Sequence, residues 1–365
     1  MIWEIIAYIT ISFALIQAIV ALTNFLHGVS IKHTDIESNK LVSVLIPARN
    51  EEKNLENILN DIRNQTHKNL EIIIFNDESD DRTLEIATEF QRLDNRIRII
   101  NSEGLPEGWL GKNFACHRLG MEAKGDYLLF LDADVRITPD IIARYIIRAQ
   151  HNNLDLISIF PRQIMKTVGE YFTVPIMNHI LLSLLPLPLV RHSAKSSLSA
   201  ANGQFMLFEA TIYKLLAPHQ TLRLEKVEDI NIARLFKINK NKMECLASES
   251  GVSCRMYGGF GESLQGFSKN VVHYFGNSIV LAILFWVLSF PAVILTFIFG
   301  NAEIIILLSI SLITCRILNS ATSHQNALLN IILYGFHQII LAILLFTSVY
   351  NRATNSFVWK GRNIS

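Results

Sequence analysis

The stretch GDYLLFLDADVRITPD, residues 125–140, runs an apolar strand-like segment, Tyr127 to Leu131, straight into Asp132-Ala133-Asp134. A buried strand exposes whatever follows its carboxyl end. Two carboxylates one residue apart there are placed to take a cation or a donor-rich ligand, because grouped acids are unstable without compensation. Two other polar clusters follow apolar runs in the same way: PARNEEKN at 47–54 and NDESDDRT at 76–83. Each cluster alone also suits a helix N-terminus, where Asn, Asp, Ser and Glu are favoured as caps and by the helix dipole. Three of them at the strand ends of one sheet point to a shared crevice. A further acidic pair, Glu228-Asp229 in LRLEKVEDINIAR, opens a helical pattern (Ile230, Ala233, Leu235). A carboxylate there can act as a general base toward an attacking hydroxyl, or be only an acid in a first helical turn.

These residues need a scaffold, and the pattern supplies one. Leu41 to Ile46 is a short apolar run rich in β-branched residues, and Leu55, Ile58, Leu59 and Ile62 follow at helical spacing. Leu70 to Phe75 predicts a second strand, Leu84, Ala87 and Phe90 a helix, and Ile97 to Ile100 a third strand. Tyr127 to Leu131 is the fourth. Thr138-Pro139 reads as a cap and first-turn proline before Ile141, Ile142 and Tyr145, and Asp155 to Phe160 is another strand. Such alternation predicts an α/β domain with a largely parallel sheet, which binds ligands outside the carboxyl ends of its strands.

Of the 365 residues, half are hydrophobic and 18% charged, which is apolar for a soluble enzyme. The net charge of +1 gives no reason to expect nucleic acid as a partner. The four cysteines, Cys116, Cys245, Cys254 and Cys315, show no CxxC spacing, so neither a zinc site nor a disulfide framework is expected. The apolar excess is concentrated. Ile5 to Leu26 is long enough to span a bilayer, which takes roughly 20 residues. Glu4 in place of a basic leader and the missing A-x-A site speak against a cleaved signal. Ser278–Phe299, Ala302–Ile317 and Leu328–Val349 are further candidate spans, the middle one short and ending at Arg316. The expected layout is an anchor at 1–28, a domain at 40–275, membrane helices at 276–350 and a basic tail at 351–365. Lys32 and Lys40 after the first span place the domain in the cytoplasm and the protein in the cell membrane. Arg352, Lys360 and Arg362 conflict with that, since three full spans would put them outside; a cytoplasmic tail is preferred.

VSVLIPARNEEKN, FNDESDDRT and LLFLDADV, in that order and spacing, resemble the nucleotide-sugar-binding half of family 2 glycosyltransferases with the GT-A fold. The resemblance covers residues 40–275. GWLGKNFAC (108–116) and CRMYGGFGESLQGFSKN (254–270), followed at once by membrane segments, are similar to membrane-bound members that glycosylate carotenoid acids, such as the diaponeurosporenoate glycosyltransferases, and to hopanoid-associated relatives. The fold implied is a GT-A, Rossmann-like α/β domain with transmembrane helices.

The resemblance implies roles for particular residues. Pro47, Ala48 and Glu51 would hold the nucleoside, and Asp77 would accept the imide N–H of uracil, with Ser79, Asp81 and Thr83 in the same element. Glu78 stands where the family has glycine, which puts the loop's backbone and the choice of base in question. Lys112 would steady the diphosphate, or be a solvated lysine. Asp134 would bind Mg²⁺ or Mn²⁺ directly, while Asp132 contacts the ribose or the metal's water shell. Asp229 would be the base and Glu228 its neighbour. Gly203 and Gln204 in NGQFMLF would touch donor sugar or acceptor, in the family's acceptor-side glycine loop. Lys269 would pair with the diphosphate. QGFSKN, where processive relatives carry Q-x-x-R-W, argues against a polymer synthase. The apolar segment 170–192, with Pro175, Pro186 and Pro188, is expected at the membrane interface, or in the core.

The implied activity is inverting transfer of one sugar from a nucleotide sugar, UDP-glucose expected, to a lipid such as a carotenoid acid or hopanoid. Two other readings stay open: a polyprenyl-phosphate sugar synthase, and a non-catalytic nucleotide-binding membrane scaffold.

Overall fold

The computed structural model describes residues 2–27, 38–247 and 250–354, and the backbone of 358–359 and 362–363. Lys32 and Lys360, used above to orient the chain, lie outside the described residues. The first helix, α1, covers Ile2–Leu26. The domain then begins as β1 (Val42–Ala48), α2 (Leu55–Arg63), β2 (Leu70–Asn76), α3 (Thr83–Leu93), β3 (Ile97–Asn101) and α4 (Gly111–Glu122). It continues with β4 (Tyr127–Leu131), β5 (Val135–Ile137), α5 (Ile141–Asn152), β6 (Leu156–Phe160) and β7 (Arg162–Gln163). After helices α6 (Val168–Leu184) and α7 (Leu187–His192) come β8 (Phe205–Glu209), α8 (Ala210–Leu216) and α9 (Pro218–Thr221). α10 (Glu228–Ile238), β9 (Met243–Ala247), β10 (Val252–Cys254) and α11 (Phe260–Asn270) complete it.

Seven strands form one sheet in the order β3-β2-β1-β4-β8-β6-β9, and β5, β10 and β7 form a second, small sheet. The large sheet is buried on both faces, so its strands read as near-continuous apolar runs rather than alternating ones. Val42, Val44 and Ile46 of β1 join one core layer with α2, α3 and α5, while Leu45 joins the other with α4 and α10. Leu129 and Leu128 of β4 divide in the same way. Strand β8 departs from the expected pattern: it runs antiparallel to both β4 and β6. Of residues 202–208, read above as a glycine loop, 202–204 are a short turn and 205–208 already belong to that central strand. The turn reaches the carboxyl end of β4, where Phe205 pairs with Leu131.

Beyond the domain lie α12 (Ile279–Ser289), α13 (Pro291–Phe299), α14 (Ala302–Thr322), α15 (Ala327–Ile332) and α16 (Tyr334–Thr354). Among the described residues, four segments are long and apolar enough to cross a membrane: Ile2–Leu26, Ile279–Phe299, Ala302–Thr322 and Tyr334–Thr354. The middle C-terminal segment therefore does not stop at Arg316, as expected above, but continues one and a half turns further. Ala7, Ala14 and Ala21 are buried on one side of α1, which lets the backbone of a neighbouring helix approach closely. Trp3 stacks on Phe299 at 4.5 Å at one end of α1. At the other end Asn24 donates to the carbonyls of Leu182 and Leu185, 3.0 Å each, and accepts from the Leu187 N–H at 2.7 Å. The anchor is thus fixed to α6 and α7, the proline-rich segment of the domain.

Of the residues in the tail conflict, Arg352 is placed by α16. The Tyr334 hydroxyl bonds the Ser289 carbonyl, halfway along the α12–α13 span, and Arg352 Nη2 donates to Asn277 Oδ1 at 2.7 Å, just before α12 begins. The helix runs back along α12, so Arg352 ends beside the domain.

Candidate active site

Three strand ends build the cleft. On the β1–β2 side the loops are tied to each other. The Asp77 N–H donates to the Ala48 carbonyl at 2.9 Å. Arg49 Nη1 donates to the Asp77 carbonyl at 2.7 Å and lies 3.8 Å from the carboxylates of both Asp77 and Glu78. The Asn50, Glu51 and Glu52 N–H groups reach Ser79 Oγ, Thr83 Oγ1 and Asp81 Oδ2 at 3.1, 2.7 and 3.0 Å. Asn54 Nδ2 donates to Glu51 Oε2 at 2.9 Å. Partial burial works against the Asp81 carboxylate, but the Thr83 hydroxyl and the Glu52 and Thr83 N–H groups outweigh it and hold its pKa below the usual range. Asn50 and Glu78 sit at φ 53° and 49°, the left-handed region. The Glu78 backbone therefore takes the kind of conformation for which glycine is the easy residue.

The β4–β8–α10 side is different. Lys112, from the first turn of α4, lies 2.9 Å from Asp132 Oδ2 and 3.4 Å from Glu228 Oε1. Burial works against its ammonium, but these two carboxylates outweigh burial and raise its pKa well above the ordinary lysine value. The Gly203 N–H, in the turn before β8, donates to Asp229 Oδ2 at 3.1 Å, and the Ile230 N–H donates to Asp229 Oδ1 at 2.8 Å. Burial, and then the Glu228 charge, push the Asp229 carboxyl up to about 7. A Cβ on Gly203 would stand 3.2 Å from Lys112 Nζ and 3.3 Å from Glu228 Oε1, so the glycine lets the three elements close together. Asp134 is pushed up to about 6 by burial first, then by the Asp132 and Glu51 charges. Gln204 Nε2 lies 3.4 and 3.5 Å from the Asp134 oxygens and 2.9 Å from Cys254 Sγ, and its Oε1 is buried without a partner.

The structure therefore brings Lys112, Asp132, Asp134, Gly203, Gln204, Glu228 and Asp229 together from four separate parts of the chain, with Pro47, Ala48, Glu51 and Asp77 on the adjoining strand ends. Lys112 is ion-paired rather than merely solvated. Lys269 lies half-buried on α11, where burial lowers its pKa, and makes no ion pair among the described residues. Nor do three or more His, Cys, Asp or Glu side chains converge as a ligand set among the described residues. The donors available to a cation are two hard carboxylates, Asp132 and Asp134, the latter held against its own charge. That set fits Mg²⁺ or Mn²⁺, which take one or two protein carboxylates and complete their coordination with substrate phosphates and water.

Sequence reading missed Cys254, whose thiol hydrogen-bonds Asp134, and Arg49. It also missed a cleft of about 500 Å³ against Asp134, lined by Arg136, Lys166 and Arg255 among others. Arg136 is held by Asp61 at 2.6 and 2.8 Å, and Arg255 by buried Glu170 at 2.9 Å. These residues lie on the small sheet and its flanks, so no single motif announces them.

The family model for glycosyl transferase family 2 matches residues 43–216, from β1 to the end of α8. The chain carries a family 2 glycosyltransferase domain. Over 249 residues the chain is 27% identical to the 4,4'-diaponeurosporenoate glycosyltransferase of Staphylococcus haemolyticus (strain JCSC1435), a match covering 66% of this chain and 63% of that protein, just under two thirds of its length. Over 265 residues it is 25% identical to the protein of the same name from Staphylococcus aureus (strain USA300), covering 71% and 68%. Among solved structures, the mannosyltransferase PcManGT from Pyrobaculum calidifontis, in complex with GDP-Man and Mn²⁺, aligns over 96% of this chain and 100% of its own, with TM-score 0.57 and 14% identity. That likeness is one of fold: the domain has a GT-A-type α/β fold, joined to helices long and apolar enough to cross a membrane.

Proposed function

We propose that this glycosyltransferase moves one sugar, with inversion, from a nucleotide-sugar donor such as UDP-glucose to an anionic or amphiphilic lipid acceptor, a carotenoid acid or hopanoid being the class favoured. The carrying observation is Asp229: buried, held by two backbone N–H groups, with a pKa of about 7, and joined through Glu228 and Lys112 to Asp132 of the Asp-Ala-Asp turn. A base with that pKa is balanced between holding and releasing a proton at neutral pH. Its carboxylate takes the proton of an acceptor hydroxyl as that oxygen bonds the anomeric carbon. The bond from that carbon to the nucleoside diphosphate breaks on the opposite side, and its electron pair leaves with the diphosphate oxygen. A single displacement of this kind inverts the anomeric centre. An acceptor carboxylate would attack without giving up a proton, and Asp229 would then orient it.

Pro47, Ala48, Glu51 and Asp77 are assigned to the nucleoside, and Lys112 to the diphosphate. Gly203 and Gln204 are assigned to the sugar or acceptor. A divalent cation held by Asp134, with Asp132 toward its water shell, would supply Lewis-acid neutralisation of the charge growing on the departing diphosphate. Lys269, which makes no ion pair with the cluster among the described residues, is given no role. The name of the two staphylococcal relatives supports a carotenoid-acid acceptor. The basic lining of the cleft beside Asp134 supports an anionic one. That lining equally supports the second reading, a polyprenyl-phosphate acceptor. The membrane-associated segments, and Arg352 beside the domain, support placing the domain on the basic, cytoplasmic side.

The test uses the purified full chain with Mn²⁺, labelled UDP-glucose and separate carotenoid-acid, hopanoid and polyprenyl-phosphate acceptors. Label should enter the organic phase with one acceptor class. Asp229→Asn should keep UDP binding and reduce transfer on the order of 10²-fold for a hydroxyl acceptor. Full transfer by that variant to a hydroxyl would remove Asp229 as the base. Tight UDP binding with no transfer from any donor tried would favour the scaffold reading.

A further inference from the structure

We propose that a small polar cavity between α6 and the C-terminal end of α14 is a seat for one small anion, which neutralises Arg316. Arg316 lies on an apolar helix of membrane-spanning length and is 4% exposed. Its Nη1 donates to His337 Nδ1 at 3.4 Å, and its guanidinium lies 4.9 Å from the centre of the Tyr334 ring. No carboxylate lies within ion-pair distance of it among the described residues. The other charged residue of α14, Glu303, is in the first turn, far from Arg316, and α16 contains no acid. Glu170 of α6 is already bound to Arg255.

The two neighbouring histidines do not supply a charge of either sign. His337 Nε2 lies 3.0 Å from the Tyr171 carbonyl, which can only accept, so Nε2 carries the proton and Nδ1 accepts from Arg316. Asn319 Nδ2 lies 3.0 Å from His179 Nδ1, so that nitrogen also accepts and the ring is neutral. The cluster is left with one full positive charge, because an arginine does not give up its proton in proteins. A buried charge without a partner is strongly destabilising, and an ionisable group inside a membrane bundle marks a site whose partner has to be named.

Three N–H donors at this place have no partner: Arg316 Nε, Asn178 Nδ2 and Gln325 Nε2. All three residues line one cavity with His179 and Asn319, and the space enclosed is about 10 Å³. That is room for one water-sized sphere. A water there would satisfy donors and leave the charge. A halide ion, or one oxygen of a lipid carboxylate or phosphate entering between the helices, would do both. The bound anion would join α6, which carries the domain, to α14 of the membrane bundle.

The test is the thermal unfolding midpoint of the full chain in neutral detergent, at constant ionic strength, in sodium chloride, bromide or gluconate, the last too large for the cavity. A free ion as ligand predicts a midpoint about 2–4 °C higher in chloride and bromide than in gluconate. A head-group ligand predicts that short-chain phosphatidylglycerol, added in gluconate, gives the rise and phosphatidylcholine does not. Either rise should vanish in Arg316→Met. An unchanged rise in that variant, or no rise in the wild type with any of these probes, overturns the site. Should Arg316→Met fail to fold, Gln325→Leu removes one donor and keeps the arginine. It should raise the anion concentration needed for half the effect severalfold, and an identical concentration dependence would also overturn the site.

Discussion

The two sides of the cleft have the same sequence signature and opposite electrostatics. On the β1–β2 side, Asp81 is saturated with hydrogen bonds and its pKa lies below the ordinary value. On the β4–β8–α10 side, Asp134 and Asp229 are pushed up to about 6 and about 7 by burial and like charge. The first arrangement ties two loops together around a carboxylate whose hydrogen bonds are met. The second holds negative charge that the protein itself only partly offsets, through Lys112. Clusters that look alike in sequence therefore divide into a clamp built around Asp81 and a site whose carboxylates a ligand would stabilise, and the division rests on burial and neighbouring like charge, which at Asp229 outweigh two backbone N–H bonds.

The largest effect expected from breaking that division is at Asp134. Asp134→Asn should abolish Mn²⁺-dependent UDP binding, measured by calorimetry with and without the metal; unchanged metal-dependent affinity would move the cation elsewhere. The same substitution should stabilise the metal-free protein above pH 6. A carboxyl whose folded pKa is raised from 3.8 to about 6 contributes stability at low pH that is lost as the pH rises through 6, and asparagine does not ionise.

Lys112 sharpens the comparison because it is shared by Asp132 and Glu228. Its charge lowers the Asp229 pKa, in opposition to burial and Glu228. In Lys112→Met the pKa of Asp229 should rise, so the acidic limb of the kcat profile should move from near pH 7 to higher pH. Transfer below the limb should fall about tenfold for each unit it moves. A limb that stays in place would assign it to another group.

How far this was legible in the sequence follows the same division. The Asp-Ala-Asp turn and the three strand-end clusters could be read because strand, turn and helix alternate in single local patterns. Lys112 could not be settled, since its partners come from residues 20 and 116 positions further on. The strand Phe205–Glu209 is four apolar residues and a glutamate after a glycine-containing turn, and a run that short carries no sign of its direction. Arg316 looked like the end of a span because a charge usually ends one. The structure shows it inside a helix, under a tyrosine ring. The placement of Arg352 was also invisible, because it depends on a contact with Asn277, far apart in sequence.

At Asp81, in the clamp itself, the effect should be on stability alone. Asp81→Asn removes a charged acceptor from the Glu52 and Thr83 N–H groups and should cost about 1–2 kcal/mol in chemical denaturation. The sign with pH is opposite to that of Asp134. A lowered folded pKa contributes stability above the unfolded value near 3.8 that is lost as the pH falls through the folded value. The difference between wild type and Asp81→Asn should therefore shrink on acidification, while the rate limb near pH 7 stays where it is.

The smallest effect is expected at Glu78, which stands in the same loop where the family has glycine. At φ 49° an L-residue is strained by roughly 1 kcal/mol, which glycine would relieve. Against that, glycine adds freedom to the unfolded chain, worth about 0.4–1 kcal/mol. It also removes the 3.8 Å approach to Arg49, whose glutamate side is 48% exposed and adds little. These contributions nearly cancel, so Glu78→Gly should change unfolding stability by less than about 1 kcal/mol. UDP affinity should be unaltered as well, because the backbone already has the shape that glycine would allow. A severalfold loss of UDP affinity at unchanged stability would mean that the Glu78 carboxylate, not only the loop's backbone, reads the nucleotide.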